Sequence, residues 1–226
     1  NNETFLGLLR QLSVLEGIER IRISSIEPEL LNDDIIDLVS VSDKLLPHFH
    51  IPLQSGSDKI LKLMKRKYLR DVFAGRVKHI KQLMPNACIA ADVIVGFPGE
   101  TPEDFEDAYQ FISDVDVTYL HVFSYSERPG TKAIQMEGKV EESEKRRRSQ
   151  LLHELSGQKK NRIYHQQIGK TAEVLWESDN INGFMHGFTG NYVKVRTPFK
   201  SELINQINLV RIISVNTDDT CSVEFL

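Results

Sequence analysis

Apolar and polar residues alternate along this chain in two rhythms. Phe5, Leu8, Leu9 and Leu12 recur at helical spacing. "RIRISSIEP" (20–28) then alternates Ile21 and Ile23 with arginines, which predicts a short strand ending at Ser24 and Ser25. Leu30, Leu31, Ile35, Ile36, Leu38 and Val39 predict a helix, and "HFHIPLQSGSD" (48–58) a second strand running into a glycine turn. Ser57 is a candidate N-cap for a helix through Ile60, Leu61 and Met64, and Val72, Val77, Ile80 and Leu83 mark another. "ACIAADVIV" (87–95) reads as a buried strand. Thr101 as N-cap, Pro102 in the first helical position and Glu103 and Asp104 in the first turn open a helix whose apolar face is Phe105, Ala108, Phe111, Ile112 and Val115. "YLHVFSYS" (119–126) is the next strand.

Strands alternating with helices in this way imply βα units on a parallel sheet, either open or part of a barrel. In both architectures ligands bind beyond the carboxyl ends of the strands. Polar residues collect there: Ser24, Ser25 and Glu27; Gln54 to Asp58; Gly96 to Thr101; Ser124 to Arg128.

After "RPGT" the texture changes. Residues 141–167 predict one charged helix, with Leu151, Leu152, Leu155 and Ile163 as a broken apolar stripe and "EKRRR" (144–148) on its polar side, ended by Gly169. Five short strand-like runs follow from residue 170, separated by Asn, Gly, Asp and Pro turns, and predict a small antiparallel barrel of OB-like size. The expected organisation is a partial βα barrel over 1–134, a helical connector over 135–167 and the small barrel over 168–226.

Composition narrows the function classes. A net charge of −4 gives no global electrostatic case for nucleic acid, and residues 168–226 hold five Lys and Arg against seven Asp and Glu. The two cysteines, Cys88 and Cys221, have no metal-ligand spacing, so neither a disulfide framework nor a structural zinc is expected, and a reducing cytoplasm is the default location. No apolar run approaches a membrane span, and no membrane or protein partner is predicted. The chain starts without an initiator Met, which reads as part of a longer protein.

Three constellations carry candidate chemistry. In "VGFPGET" (95–101), Gly96 and Gly99 allow a ligand to approach the backbone, or serve only the geometry of a βα turn. In "PLQSGSD" (52–58), Gln54 and Ser55 can hydrogen-bond a ribose or base, or again form a turn before a cap. In "NYVKVR" (191–196), Tyr192, Lys194 and Arg196 alternate onto one face, the pattern of an RNA stacking surface, with Val193 and Val195 directed into the core. His48, His50 and His121 lie in or beside strands, but with no cysteine or carboxylate at ligand spacing they predict no metal site.

Taken in order, "RIRISSIEP", "HIPLQSGSDKILKLMKRKY", "ADVIVGFPGETPEDF" and "HVFSYSERPGT" resemble the radical S-adenosylmethionine methylthiotransferases, and the small barrel resembles their TRAM domain. "SSIEP" and "HVFSYS" are most similar to the branch acting on threonylcarbamoyl-adenosine in tRNA. The resemblance implies strands three to six of an open six-stranded barrel, an S-adenosylmethionine cofactor, two [4Fe–4S] clusters and a tRNA substrate that receives a methylthio group. It implies that Ser24, Glu27, Gln54, Ser55, Gly96 and Glu100 line the cofactor, and that Arg66 and Arg128 are cations near the cofactor or substrate phosphates. The RNA contacts expected of the small barrel are Tyr192, Lys194 and Arg196, from the alternation in "NYVKVR". Cluster ligands are expected upstream of residue 1, so this chain alone is expected to be inactive. A non-catalytic RNA-binding module and a self-contained phosphate-binding βα-barrel enzyme are the rival readings.

Overall fold

In the computed structural model, which describes residues 4–226, three parallel strands form one sheet in the order β1-β2-β3: β1 (His48–His50), β2 (Cys88–Val95) and β3 (Tyr119–Ser124). Helix α1 (Phe5–Ser13) and helix α2 (Asp33–Val41) precede β1, α3 (Asp58–Leu63) and α4 (Arg70–Leu83) lie between β1 and β2, and α5 (Pro102–Asp114) lies between β2 and β3. Phe49, Ile89, Ala91, Val93, Val95 and Leu120 face these helices and share one core with Phe73, Val77 and Ile80 of α4 and Phe105 and Ile112 of α5. Side chains alternate across a strand, so His50, Asp92, Ile94, His121 and Phe123 fall on the opposite face. Phe123 is half exposed there.

The helix starts follow their caps. Asn32 Oδ1 accepts from Ile35 N at 3.0 Å, so α2 begins at Asp33 rather than at Leu30, which is exposed. Thr101 and Asp104 form a reciprocal capping box with Pro102 at the first position of α5. Ser57 stands at the N-cap of α3 but makes no side-chain cap bond.

Two expected strands are shorter than predicted, each because its register slips by a residue. Residues 20–28 form no regular strand; Ile21 bridges Leu45 and Ser25 bridges His50, four residues against five, so no continuous ladder can form. The strand expected over 48–58 stops at His50, because Pro52 has no N–H for a ladder. Pairing resumes only as a bridge from Gln54 to Val93, and Gln54 takes the left-handed conformation with φ 67°. The sheet is open: β1 and β3 are its edge strands.

Helix α6 (Glu142–His165) runs from this sheet to the second core. Its "EKRRR" segment is not a uniformly solvated face: Lys145 and Arg148 are buried. Ser156 Oγ accepts from Leu120 N at 2.8 Å, and Lys159 Nζ donates to the carbonyls of Ser113 and Val115, which ties α6 to both ends of the α5–β3 connection. Gly169, at φ 82°, turns the chain after α6 and donates its N–H to Ile212 O.

Strands β4 (Thr171–Trp176), β5 (Phe184–Thr189), β6 (Lys194–Pro198), β7 (Ile207–Val215) and β8 (Cys221–Phe225) close a barrel in the order β4-β5-β6-β8-β7. It is mixed rather than purely antiparallel, since β6 and β8 run parallel. Trp176, Met185, Val193, Val195, Val210 and Ile212 fill it. The barrel docks on the amino ends of the parallel strands. Asn86, just before β2, receives Lys170 Nζ on its side chain at 2.7 Å and Asn191 Nδ2 on its carbonyl at 2.8 Å. Arg20 reaches Phe188 O at 3.3 Å. Cys88 and Cys221, 133 positions apart in sequence, belong to one apolar cluster with Tyr164.

Candidate functional site

At the carboxyl ends of β2 and β3, where a parallel sheet places its ligands, a cleft of ≈ 520 Å³ opens between the end of α3 and the loop after β3. Ile94, Phe97 and Phe123 give it apolar walls, and Lys65, Arg66, Arg128 and Lys132 bring four cations to it. Arg66 Nη1 pairs with Glu27 at 3.3 Å. Three buried polar atoms, Arg66 Nε and Tyr125 Oη of the cleft lining and Glu27 Oε2 of this pair, have no partner among the described residues. An unpaired buried polar group costs roughly 1–3 kcal/mol, so these atoms fit a polar ligand able to pair with them. Apolar walls with a few convergent polar groups describe a site for a small organic molecule carrying a planar ring and charged ends.

Of the residues in the sequence reading, Arg66 and Arg128 line the cleft, and Glu27 is tied to it through its pair with Arg66. Among the other expected cofactor contacts, Gly96, Glu100 and Ser55 are engaged within the chain. Gly96 takes φ 75°, but the space above it belongs to α6: a Cβ there would stand 2.4 Å from Lys145 Cγ. Its missing side chain admits a lysine stem rather than a ligand. Glu100 Oε2 accepts from Gly96 N at 2.8 Å and Phe97 N at 3.3 Å, while Oε1 pairs with Arg148 Nη1 at 2.7 Å. Glu100 is a strut that holds the β2–α5 turn, and burial, against the pull of Arg148 and both amides, pushes its carboxyl pKa up. Ser55 is buried and its Oγ accepts from Ser57 N at 3.1 Å. Gln54 is buried, and its backbone bonds to Asp92 O and Ile94 N. Ser24 is exposed and its Oγ accepts from Ser25 N.

Tyr125, Phe97 and Phe123 are the aromatic residues of the cleft that the sequence reading missed, and Lys65 and Lys132 are the cations it missed. The signal of the aromatics was present in "VIVGFPGE" and "HVFSYS", which were read for their glycines and serines and not for their rings.

The expected RNA face is altered more deeply. Tyr192 is not the start of β6 but a left-handed turn residue at φ 70°, outside the alternation that would align it with Lys194 and Arg196. Its ring stacks on Phe188 at 4.4 Å, and the Arg22 guanidinium sits 3.8 Å from its centroid, with His48 4.6 Å away. Tyr192 is therefore spent on docking the two parts and does not offer a free platform for a base. Arg196 pairs with Asp218 and lies 4.7 Å over the Phe184 ring. Val193 and Val195 are fully buried, as the alternation predicts.

Residues 2–112 match the model of the radical SAM superfamily. The chain is 41% identical over 215 residues to the threonylcarbamoyladenosine tRNA methylthiotransferase MtaB of Bacillus subtilis, covering 92% of this chain and 48% of that protein. It is 39% identical over 202 residues to the tRNA-2-methylthio-N(6)-dimethylallyladenosine synthase of Endomicrobium trichonymphae, covering 89% of this chain and 48% of that protein. The chain belongs to the radical SAM superfamily. It spans about half the length of the curated relatives it matches. Among solved structures, the radical SAM enzyme coproporphyrinogen III oxidase of Escherichia coli overlays with a TM-score of 0.47 at 17% identity, over 71% of this chain and 35% of that one.

The radical SAM family implies S-adenosylmethionine and a [4Fe–4S] cluster, and the two requirements fare differently here. The cleft fits the first: its apolar walls suit an adenine, and Glu27, Arg66 and Tyr125 suit a ribose and an amino-acid end. The cysteines do not fit the second. A cluster needs about three or four cysteine thiolates converging on one point, and this chain has two cysteines, Cys88 and Cys221, both buried thiols that burial pushes up to about 11.

Proposed function

We propose that this chain is the cofactor-positioning and RNA-holding part of a tRNA methylthiotransferase, most similar to the branch acting on N6-threonylcarbamoyladenosine. The observation that carries this reading is the extent of the likeness: relatives named tRNA methylthiotransferases align across both the parallel sheet and the barrel. Bound S-adenosylmethionine and [4Fe–4S] clusters, two in the reading adopted here, would supply the radical and sulfur chemistry. The chain's own residues bind and orient. Arg66, with Glu27 paired behind it, meets the cofactor's charged and hydroxyl groups, Phe97 and Phe123 cover its ring and exclude water, and Arg128 with Lys65 and Lys132 attracts an anionic partner to the same opening.

Residues 1–134 form the catalytic wall in this reading, 135–167 the connector and 168–226 the RNA-binding barrel. Lys194 and Arg196 remain the barrel's phosphate contacts, without Tyr192. Among the described residues no helix is long and apolar enough to cross a membrane, and the proposed location is the cytoplasm, where tRNA is modified.

Nucleoside mass spectrometry of tRNA from cells lacking the gene tests the reading. Loss of the methylthio group from threonylcarbamoyl-adenosine is the expected result. Loss from dimethylallyl-adenosine instead would assign the other branch, and unchanged tRNA would overturn the proposal.

A further inference from the structure

Midway along the bare face of the parallel sheet, three side chains from three strands meet. His50 on β1, Asp92 on β2 and His121 on β3 each offer one ligand atom, and these atoms all lie within 4.8 Å of one another. Strand register produces the meeting: Asp92 lies directly opposite His121, and His50, paired with Ala90, stands two residues along on the same face. Asp92, which carries no recognisable ligand spacing in the sequence, supplies the carboxylate that the histidines lacked. We propose that His50, Asp92 and His121 form a site for a divalent cation of borderline softness, of the zinc, cobalt or nickel class.

Four observations carry this. First, two imidazoles and one carboxylate are the donor set that such ions prefer, and three protein ligands leave a position open for water or a ligand. Second, His50 has the outer partner expected of a metal-binding histidine: its Nδ1 lies 3.0 Å from Ser25 Oγ, which fixes the ring and turns Nε2 toward Asp92. Third, the 2.6 Å contact of His50 Nε2 with Asp92 Oδ1 brings two of the donor atoms to one point; with a cation there, Nδ1 carries the proton and donates it to Ser25 Oγ, and Nε2 is free to ligate. Fourth, His50 and Asp92 are about one-fifth exposed and His121 is exposed, so an ion can enter without unfolding anything. Without metal the pair closes into a direct hydrogen bond. Ion binding requires the pair to part by roughly half an ångström or more, because two ligands about 2.0–2.1 Å from a tetrahedral ion stand more than 3 Å apart. Rotation about the side-chain torsions supplies that movement.

The site is distinct from the cleft, whose lining includes none of the three ligands, and the inference does not depend on the tRNA reading. It is tested on the untagged, metal-stripped chain by calorimetric titration with Zn²⁺ and by the visible spectrum of Co²⁺. One equivalent bound, with a tetrahedral or five-coordinate Co²⁺ spectrum, is the expected result. His121→Ala removes an exposed ligand without touching the core and should weaken binding at least tenfold, as should Asp92→Asn. Ser25→Ala should weaken it by about ten- to a hundredfold through the orientation of His50. His79→Ala, at a surface His–Asp pair elsewhere, should leave binding unchanged. Circular dichroism of each variant separates ligand loss from unfolding. No binding by the wild type, or equal affinity in a folded His121→Ala, would overturn the proposal.

Discussion

Arg148 and Glu100 meet at 2.7 Å with side chains only 2% and 5% exposed, one from the middle of α6 and the other from the turn after β2. Arg148 also donates to the Glu100 carbonyl and to Glu144, which sits one turn before it on α6. The pair joins the helix that leads to the barrel with the turn that borders the cleft. Breaking a buried pair by removing one partner typically costs about 3–5 kcal/mol, whereas replacing both by apolar groups can be neutral. Arg148→Met or Glu100→Gln alone should therefore lower unfolding free energy by about that amount. The double change Arg148→Met with Glu100→Gln should cost clearly less than the sum of the two single losses, because it leaves neither charge buried alone and keeps an acceptor for the Gly96 and Phe97 amides. Urea denaturation of the four proteins gives the cycle, and additive losses would show that the two residues act independently.

Gly96 and Gly56 distinguish two reasons for a glycine in a βα turn. A Cβ on Gly96 would meet the flexible stem of Lys145, and one on Gly56 would stand 2.7 Å from the Ala108 carbonyl oxygen in α5. Gly96→Ala should destabilise, and Lys145→Ala should relieve the steric part, leaving about 1–2 kcal/mol for the left-handed backbone. Gly56→Ala should have no such rescue, because its obstacle is main chain. Thermal unfolding of the single and double variants checks both.

This contrast also shows what was legible from the sequence. The βα rhythm, the Thr101 capping box, the buried Val193 and Val195 and the β-rich second part follow from periodicity and caps, which are local. The Lys145 stem over Gly96, Arg148 against Glu100, and Arg22 over Tyr192 join residues far apart in sequence. No spacing rule encodes them. Asp92 was hidden for the same reason, since its partners come from the neighbouring strands through register. The local motif "GFPGET" suggested backbone laid open to a ligand; its tertiary environment gives that space to α6.

Stability should fall in mild acid through His48. Burial, with Arg22 and then His50 and His121 adding to it, holds this imidazole down to about 3 against an ordinary 6.5. The unfolded chain takes up the proton near pH 6.5 and the folded chain does so only near 3. The unfolded state thus binds more protons between those values. Stability is full above about pH 6.5 and declines below it, with a slope approaching 1.4 kcal/mol per pH unit. His121, shifted downward in the same way mainly by burial, adds in the same direction. Denaturation between pH 7 and 5 should show this slope, reduced in His48→Gln. A slope that persists unchanged in the variant would place the acid sensitivity elsewhere.

Tyr192 sets the last expectation, because it couples the two parts of the chain. Its ring is held between Phe188 of the barrel and Arg22 of the segment before α2, and His48 at the start of β1 packs beside it. A cation over an aromatic ring contributes about 0.5–2 kcal/mol depending on its desolvation, and an aromatic pair adds about 0.5–1.5. These contacts lie outside the barrel core, which Trp176, Val193 and Val195 fill without them. Tyr192→Ala should therefore loosen docking while leaving both cores folded, with the barrel swinging about the turn at Gly169. Small-angle scattering should show a larger radius of gyration, and proteolysis should quicken between 166 and 170, with circular dichroism unchanged. Arg22→Glu should act in the same direction from the other side. If tRNA affinity survives in Tyr192→Ala but is lost in Lys194→Glu with Arg196→Glu, then Tyr192 docks the barrel and the two cations hold the RNA. Loss of affinity in a Tyr192→Ala protein whose scattering is unchanged would return the tyrosine to the RNA surface.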